Sequence, residues 1–197
     1  MAINVYNNPE ILGVILAGGN SRRMGDRDKF LLPLFGFRVI DHVINRLSPQ
    51  VSNIILNANL NNLDVPIEVV PDLISGEGPL GGLYTALMLA KERGYSKVVT
   101  VPADTPYLPD DFVTRLCVHS DNLVVVAKSK GQIHPVLGLW DIAILDDVDN
   151  AIKSDELKMI RWLEKYSPIQ VEWMDMQDPF FNINTPEDYA VAQSRPL

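Results

Sequence analysis

The sequence predicts a three-layer α/β/α domain built on a mostly parallel sheet with an antiparallel component. Three observations predict it. Short apolar runs rich in β-branched residues alternate with segments whose apolar residues recur at helical spacing through the first two-thirds of the chain. Each early run ends in a loop of Gly, Asn, Pro or Asp, and the alternation with helices implies right-handed, mostly parallel connections. Later, Leu123 to Ala127 and Ile133 to Trp140 are separated only by the polar stretch Lys128 to Gln132, which is hairpin spacing.

Taken in order, Ile11 to Leu16 is a continuous apolar run and predicts a buried strand. Leu31 to Phe35 is short and interrupted by Pro33, so it is left without an element. Val39, Ile40, Val43, Ile44 and Leu47 predict a helix that stops before Pro49. Asn53 to Leu56 and Ile67 to Val70 predict the next two strands, ending in Asn57-Ala58-Asn59 and Pro71-Asp72. Leu80 to Lys91 predicts a helix stopped by Gly94, and Lys97 to Val101 a central strand ending in Pro102-Ala103-Asp104-Thr105-Pro106. Asp110 to Val118 predicts a helix with Asp110 as its cap. Asp141 to Ile152 and Glu156 to Lys165 predict two more helices, and Ile169 to Trp173 alternates as an edge strand. Thr185-Pro186-Glu187-Asp188 combines a capping hydroxyl, proline at the first helical position and acids in the first turn, and so starts a last helix. No repeat or linker divides residues 1–197, so the expectation is a single Rossmann-like domain.

Bulk properties narrow the function. With 17 basic and 25 acidic residues the net charge is −8, which excludes the basic footprint that nucleic acid or an anionic membrane surface requires. One cysteine, Cys117, excludes an intrachain disulfide framework, and with no signal peptide or spanning run the expected setting is cytoplasmic. Against the acidic background, one stretch concentrates positive charge: Leu16-Ala17-Gly18-Gly19-Asn20-Ser21-Arg22-Arg23-Met24-Gly25-Asp26-Arg27-Asp28-Lys29. Adjacent glycines allow a tight turn and close approach to a ligand, and amides beside fixed cations cradle phosphates. The stretch matches neither a P-loop nor a dinucleotide fingerprint, because Lys29 precedes Phe30 and the glycine spacing differs.

Three groups follow strands: the glycine loop, Asn57 with Asp72, and Asp104. Strand ends of one sign converge on one edge of an open α/β sheet. That edge would join a phosphate cradle to carboxylates, a combination suited to Mg2+, which takes one or two protein oxygens and completes its shell from substrate phosphates and water. Asp104 is the metal candidate. His42 and His119 are read as helix-surface residues and His134 as a hydrogen-bonded structural histidine. Trp140, Trp162 and Trp173 are read as packing, and Arg23 and Arg27 as solvated loop charges.

These residues resemble those of the molybdenum cofactor guanylyltransferases, within a wider nucleotidyltransferase group that shares a glycine-rich N-terminal signature. The resemblance rests on Leu16-Ala17-Gly18-Gly19, Ser21-Arg22-Arg23-Met24-Gly25 and Asp28-Lys29. It continues through Asn57-Ala58-Asn59, Asp72, Gly78-Pro79-Leu80-Gly81-Gly82 and Pro102-Ala103-Asp104-Thr105-Pro106 to Asn182-Ile183-Asn184-Thr185-Pro186-Glu187-Asp188. One departure is Ala103, where the family often carries cysteine. Val124 to Asp178 carries little of the resemblance. What it implies is Mg2+-dependent transfer of GMP from GTP to the phosphate of molybdopterin (Mo-molybdopterin), with release of pyrophosphate and passage of the product to molybdoenzymes or their chaperones. It implies GTP contacts at Leu16, Ala17, Gly18, Gly19, Lys29, Asn57, Asp72, Leu80, Gly81 and Asp104. Arg22, Lys29 and Asp104 take the catalytic roles, Asp104 the metal, and Asn182 and Asn184 are possible substrate contacts. Gly18, where related cytidylyltransferases tend to carry alanine, and Gly78-Pro79-Leu80 favour guanine. The alternatives are a cytidylyl- or sugar-nucleotide transferase of the same group and a non-catalytic nucleotide-binding protein.

Overall fold

In the computed structural model, residues 11–18, 28–60, 62–74, 76, 78–156 and 158–196 are described. Their strands are β1 (Ile11–Leu16), β2 (Pro33–Leu34), β3 (Phe37–Arg38), β4 (Asn53–Asn57), β5 (Glu68–Val70), β6 (Lys97–Pro102), β7 (Val124–Ser129), β8 (Gln132–Asp141) and β9 (Ile169–Trp173). The α-helices are α1 (Val39–Leu47), α2 (Gly78–Glu92), α3 (Phe112–Cys117), α4 (Leu145–Lys153), α5 (Met159–Glu164) and α6 (Pro186–Ser194). Seven strands form one sheet in the order β5-β4-β1-β6-β8-β7-β9. The pairs β4–β5, β1–β4, β1–β6 and β7–β9 are parallel, and β8 runs antiparallel to both β6 and β7. The predicted class, including its antiparallel component, is what the chain adopts.

Every residue of β1 is buried, because the strand has a neighbour on each side and a helical layer on each face. Its side chains divide by parity. Ile11 and Ile15 join the layer that holds α1 and α3; Leu12, Val14 and Leu16 join the layer that holds α2, α4 and α5. A third cluster, Leu34, Val39, Tyr107, Ile183 and Ala192, fastens α6 to the β2–β3 hairpin. That hairpin turns through Phe35 and Gly36, both at positive φ (49° and 85°), the two-residue geometry that matches strand twist. The Pro33-interrupted run carries it, a feature that strand periodicity does not register.

Several local expectations change, among them the start of α5 at Met159 and the place of His119 in a turn beyond α3; three more share one cause. His42 is buried on α1, not exposed, with its Nε2 2.7 Å from the Leu34 carbonyl oxygen. Helix α3 starts at Phe112 after Asp111, whose side chain makes no cap; Asp110 instead pairs with Arg46 at 3.2 Å. Asp141 ends β8 and caps a short 3-10 turn at Ala143 N, so α4 starts only at Leu145. The reason is common to all three: long-range partners override local propensity. The last helix starts as its sequence predicts. The Thr185 hydroxyl accepts from Asp188 N at 3.1 Å, and the Asp188 carboxylate accepts from Thr185 N at 2.9 Å.

Candidate active site

The chain goes from β1 outward through β4 to β5, then crosses back to place β6 on the other side of β1. The order therefore reverses between β1 and β6, and such a switch point opens a crevice beyond the strand C-termini. A cavity of about 250 Å3 lies there. Register brings its parts together. Leu16 pairs with Asn57 on one side and Pro102 on the other. Past the strand end, Ala17 N donates to Asn57 O at 2.9 Å, and Ala103 N donates to Leu16 O at 3.0 Å. Three loops far apart in sequence thus leave the sheet at one level.

On the β4–β5 side the cavity meets Asn57, Asp72 and the first turn of α2. Asn57 is 1% exposed and donates to Val70 O at 3.2 Å. Asp72 is held from both ends by Asn59, which donates to its carboxylate at 2.7 Å and accepts from its amide at 2.8 Å. Gly78, Pro79 and Gly82 line the wall. A Cβ on Gly82 would lie 3.2 Å from both the Asn57 amide oxygen and a Leu16 methyl, so only hydrogen fits there without displacement. Leu80 and Gly81 do not line the cavity. Leu80 is fully buried in the core, and the Gly81 carbonyl accepts the Thr85 hydroxyl at 3.0 Å. Helical periodicity separates these two sets, since residues 78 and 82 are one turn apart and share a face. That spacing was the available signal for Gly82, which the sequence reading did not place in the site.

At the centre stand Asp104, Lys29 and the 182–184 segment. Ile183 N donates to Asp104 O at 3.1 Å, the Thr105 hydroxyl donates to Asn182 Oδ1 at 2.7 Å, and Lys29 Nζ donates to Asn184 Oδ1 at 3.0 Å. Asp104 keeps contact with solvent through the cavity, yet enough protein surrounds it that burial pushes its carboxyl above the usual range; the Lys29 ammonium works in the opposite direction. Its own backbone amide also favours the ionised carboxylate, though more weakly than burial opposes it. Leu16, Ala17 and Gly18 line the floor, with Gly18 exposed to the cavity. Phe30 and Val136 complete the walls, and neither carries a polar signal by which a sequence reading could find it. Gly19, Arg22, Arg23 and Arg27 lie outside the described residues.

The donor set suits a divalent cation shared with phosphates. Among the described residues no group of three or more His, Cys, Asp or Glu side chains gathers as a full protein cage. A hard carboxylate facing a cavity fits an ion that draws most of its oxygens from substrate and water.

Comparisons with known proteins identify the family and the fold. The model of the MobA-like NTP transferase domain matches residues 13–169. A molybdenum cofactor guanylyltransferase of Rhizobium leguminosarum bv. trifolii (strain WSM2304) is 40% identical over 195 residues, spanning 93% of this chain and 92% of the relative. Its namesake from Bradyrhizobium sp. (strain ORS 278) is 39% identical over 192 residues, spanning 92% and 91%. Among solved structures, molybdopterin-guanine dinucleotide biosynthesis protein A from Archaeoglobus fulgidus shares the fold with a TM-score of 0.70 at 24% identity, over 93% of this chain and 97% of that one. The 4-diphosphocytidyl-2C-methyl-D-erythritolsynthase of Anaerococcus prevotii DSM 20548 shares it at 0.68 and 15% identity, over 93% and 94%. The chain belongs to the MobA-like NTP transferase family and is a nucleotidyltransferase.

Proposed function

We propose that this protein transfers GMP from GTP to the phosphate of molybdopterin, with Mg2+, and releases pyrophosphate. The observation that carries the reading is the placement of Asp104 opposite Lys29 at the switch point, with subsites on both sides. The names of the relatives, at 34–40% identity, supply the substrates. The reaction takes place in the cytoplasm, and its product passes to molybdoenzymes or their chaperones.

In chemical terms, an oxygen of the acceptor phosphate attacks the α-phosphorus of GTP. A new P–O bond forms, the bond to the β-phosphate bridge breaks, and pyrophosphate leaves with the electron pair. The acceptor is a phosphate monoester, ionised near neutral pH, so the step needs no strong general base. The difficulty is bringing two anions together. Lys29 offsets that charge, and on this reading its ammonium exchanges Asn184 for phosphate oxygen. The Gly18 backbone approaches the nucleotide without a side chain in the way. Gly82 leaves room beside Asn57 on the same side. Mg2+, held by Asp104, would supply positive charge to the phosphate oxygens at the reacting centre. Asn182, fixed by Thr105, holds the segment that closes the cavity on the acceptor side.

The test is incubation of the purified protein with molybdopterin, Mg2+ and either GTP or CTP, scoring pyrophosphate and the dinucleotide product. Pyrophosphate with GTP and little with CTP is the expected result; preference for CTP would overturn the guanine assignment. Lys29→Ala is expected to weaken GTP binding by roughly 10–100-fold, the worth of one charge-assisted contact. Equilibrium titration with GTP measures it, and an unchanged affinity would remove Lys29 from the cradle.

A further inference from the structure

A polar relay lies behind the Val136 and Asn182 wall of the cavity, and the transfer chemistry alone does not account for it. Strand β8 breaks register against β7: Gly138 pairs with Val126, but His134 pairs with the next residue, Ala127. Residues 135–137 therefore bulge from the sheet. Leu137 turns into the core, while Val136 lines the cavity. The Val136 carbonyl accepts the Thr100 hydroxyl at 2.6 Å, and Thr100 Oγ1 accepts the Trp140 indole N–H at 2.8 Å. At the foot of the bulge, His134 Nε2 lies 2.7 Å from Ser129 Oγ, and the Ser129 hydroxyl donates to Asp178 Oδ1 at 2.6 Å. With its own proton directed at Asp178, the serine oxygen is left to accept from His134. Asp178 Oδ1 also accepts Phe180 N at 3.0 Å. Phe180 then packs on His134, with ring centroids 5.0 Å apart, two residues before Asn182.

The strap from β9 to α6 is thus tied along its length, with Lys130 Nζ donating to the Asp175 and Met176 carbonyls at 2.9 and 2.8 Å and Lys29 Nζ to Asn184. Ser129 holds it at Asp178; Thr105 and the Asp104 carbonyl hold it at Asn182 and Ile183. Ser129 is only 1% exposed. A buried hydroxyl relay contributes little net stability after desolvation, but it fixes direction. Transfer between two phosphates needs a subsite on each side of Asp104. Asn57, Asp72 and Gly82 form one side; Val136, Asn182 and Asn184 form the other, and the relay joins the two elements that carry them.

We propose that Ser129 is a positioning residue for the acceptor substrate. By locking the strap to the β8 bulge, it sets the acceptor wall without touching the nucleotide half. The proposal rests on the transferase reading above.

Steady-state kinetics with GTP and molybdopterin test it. Ser129→Ala is expected to raise the KM for molybdopterin roughly 10-fold, as expected for a displaced contact surface, with kcat little changed. GTP affinity, measured by titration without acceptor, stays at the wild-type value. Asp178→Asn retains an accepting oxygen and is expected to behave as wild type. Asp178→Ala is expected to reproduce Ser129→Ala, and it decides the matter if Ser129→Ala does not fold. An unchanged molybdopterin KM in both alanine variants, or an equal loss of GTP and molybdopterin binding, overturns the proposal. Failure of the unsubstituted protein to transfer GMP to molybdopterin is a separate result. It overturns the proposed function itself and the positioning role with it.

Discussion

Asp104→Ala is expected to lower GMP transfer by at least roughly 10²–10³-fold, the usual cost of deleting one group that stabilises developing charge. The protein should remain folded. Asp104 sits at the end of β6 beyond the buried run of the strand, and what it loses is a carboxylate, while the backbone bond from Ile183 N to its carbonyl remains. The same residue carries a pH signature. Burial raises its carboxyl above the ordinary value, so the folded state binds this proton more readily than the unfolded chain does. Stability contributed at this site in the absence of metal therefore falls as pH rises from the unfolded value through the raised folded one. Asp104→Asn removes that dependence and is expected to be at least as stable as wild type at neutral pH without metal, while remaining inactive. Urea unfolding at several pH values, paired with pyrophosphate release, checks both halves. An active Asp104→Asn protein would end the metal assignment.

Trp140→Ala is expected to cost about 3–5 kcal/mol of stability, the range for deleting a large buried aromatic. Trp140 is fully buried on β8, its indole 6.4 Å from the ring of Trp162 on α5. Gly138 makes room for it: a Cβ there would lie 2.6 Å from the Val125 carbonyl oxygen and 2.9 Å from the indole ring. The indole N–H also satisfies Thr100, whose hydroxyl holds the Val136 carbonyl beside the cavity. Trp140→Phe restores most of the packing but leaves Thr100 Oγ1 without that donor, so it is expected to fall between wild type and alanine. Denaturant midpoints at constant m-value measure the series. An alanine variant as stable as wild type would show that the β8–α5 contact is not the anchor its burial implies.

Much of the fold was legible because burial writes itself locally. The continuous run at Ile11–Leu16 becomes the central strand, with neighbours on both sides. The spacing of Val39, Ile40, Val43, Ile44 and Leu47 becomes the buried face of α1. The 185–188 cap signal becomes a capping box at the start of α6. The β2–β3 hairpin escaped because two-residue strands are too short to show a period, and the burial of His42 escaped because its partner, the Leu34 carbonyl, belongs to that same hairpin.

The site divides in the same way. Gly18, Asn57, Asp72 and Asp104 stood out as polar or glycine residues soon after apolar runs, Lys29 as a cation in an acidic chain, and all five line one cavity. Phe30 and Val136 line it too, but an apolar side chain facing a cavity is spelled the same as one facing a core. Composition, period and cap chemistry along the chain determined the layers, the sheet and which strand ends carry polar groups, because each of these depends on neighbours a few residues away. Strand order decided the rest. Lys29 meets Asn184 across 155 residues, and Ser129 joins His134 to Asp178 across a bulge that only the pairing of β7 with β8 creates. Contacts of that range depend on how far the chain travels before it returns to the same edge, and no local pattern encodes that distance.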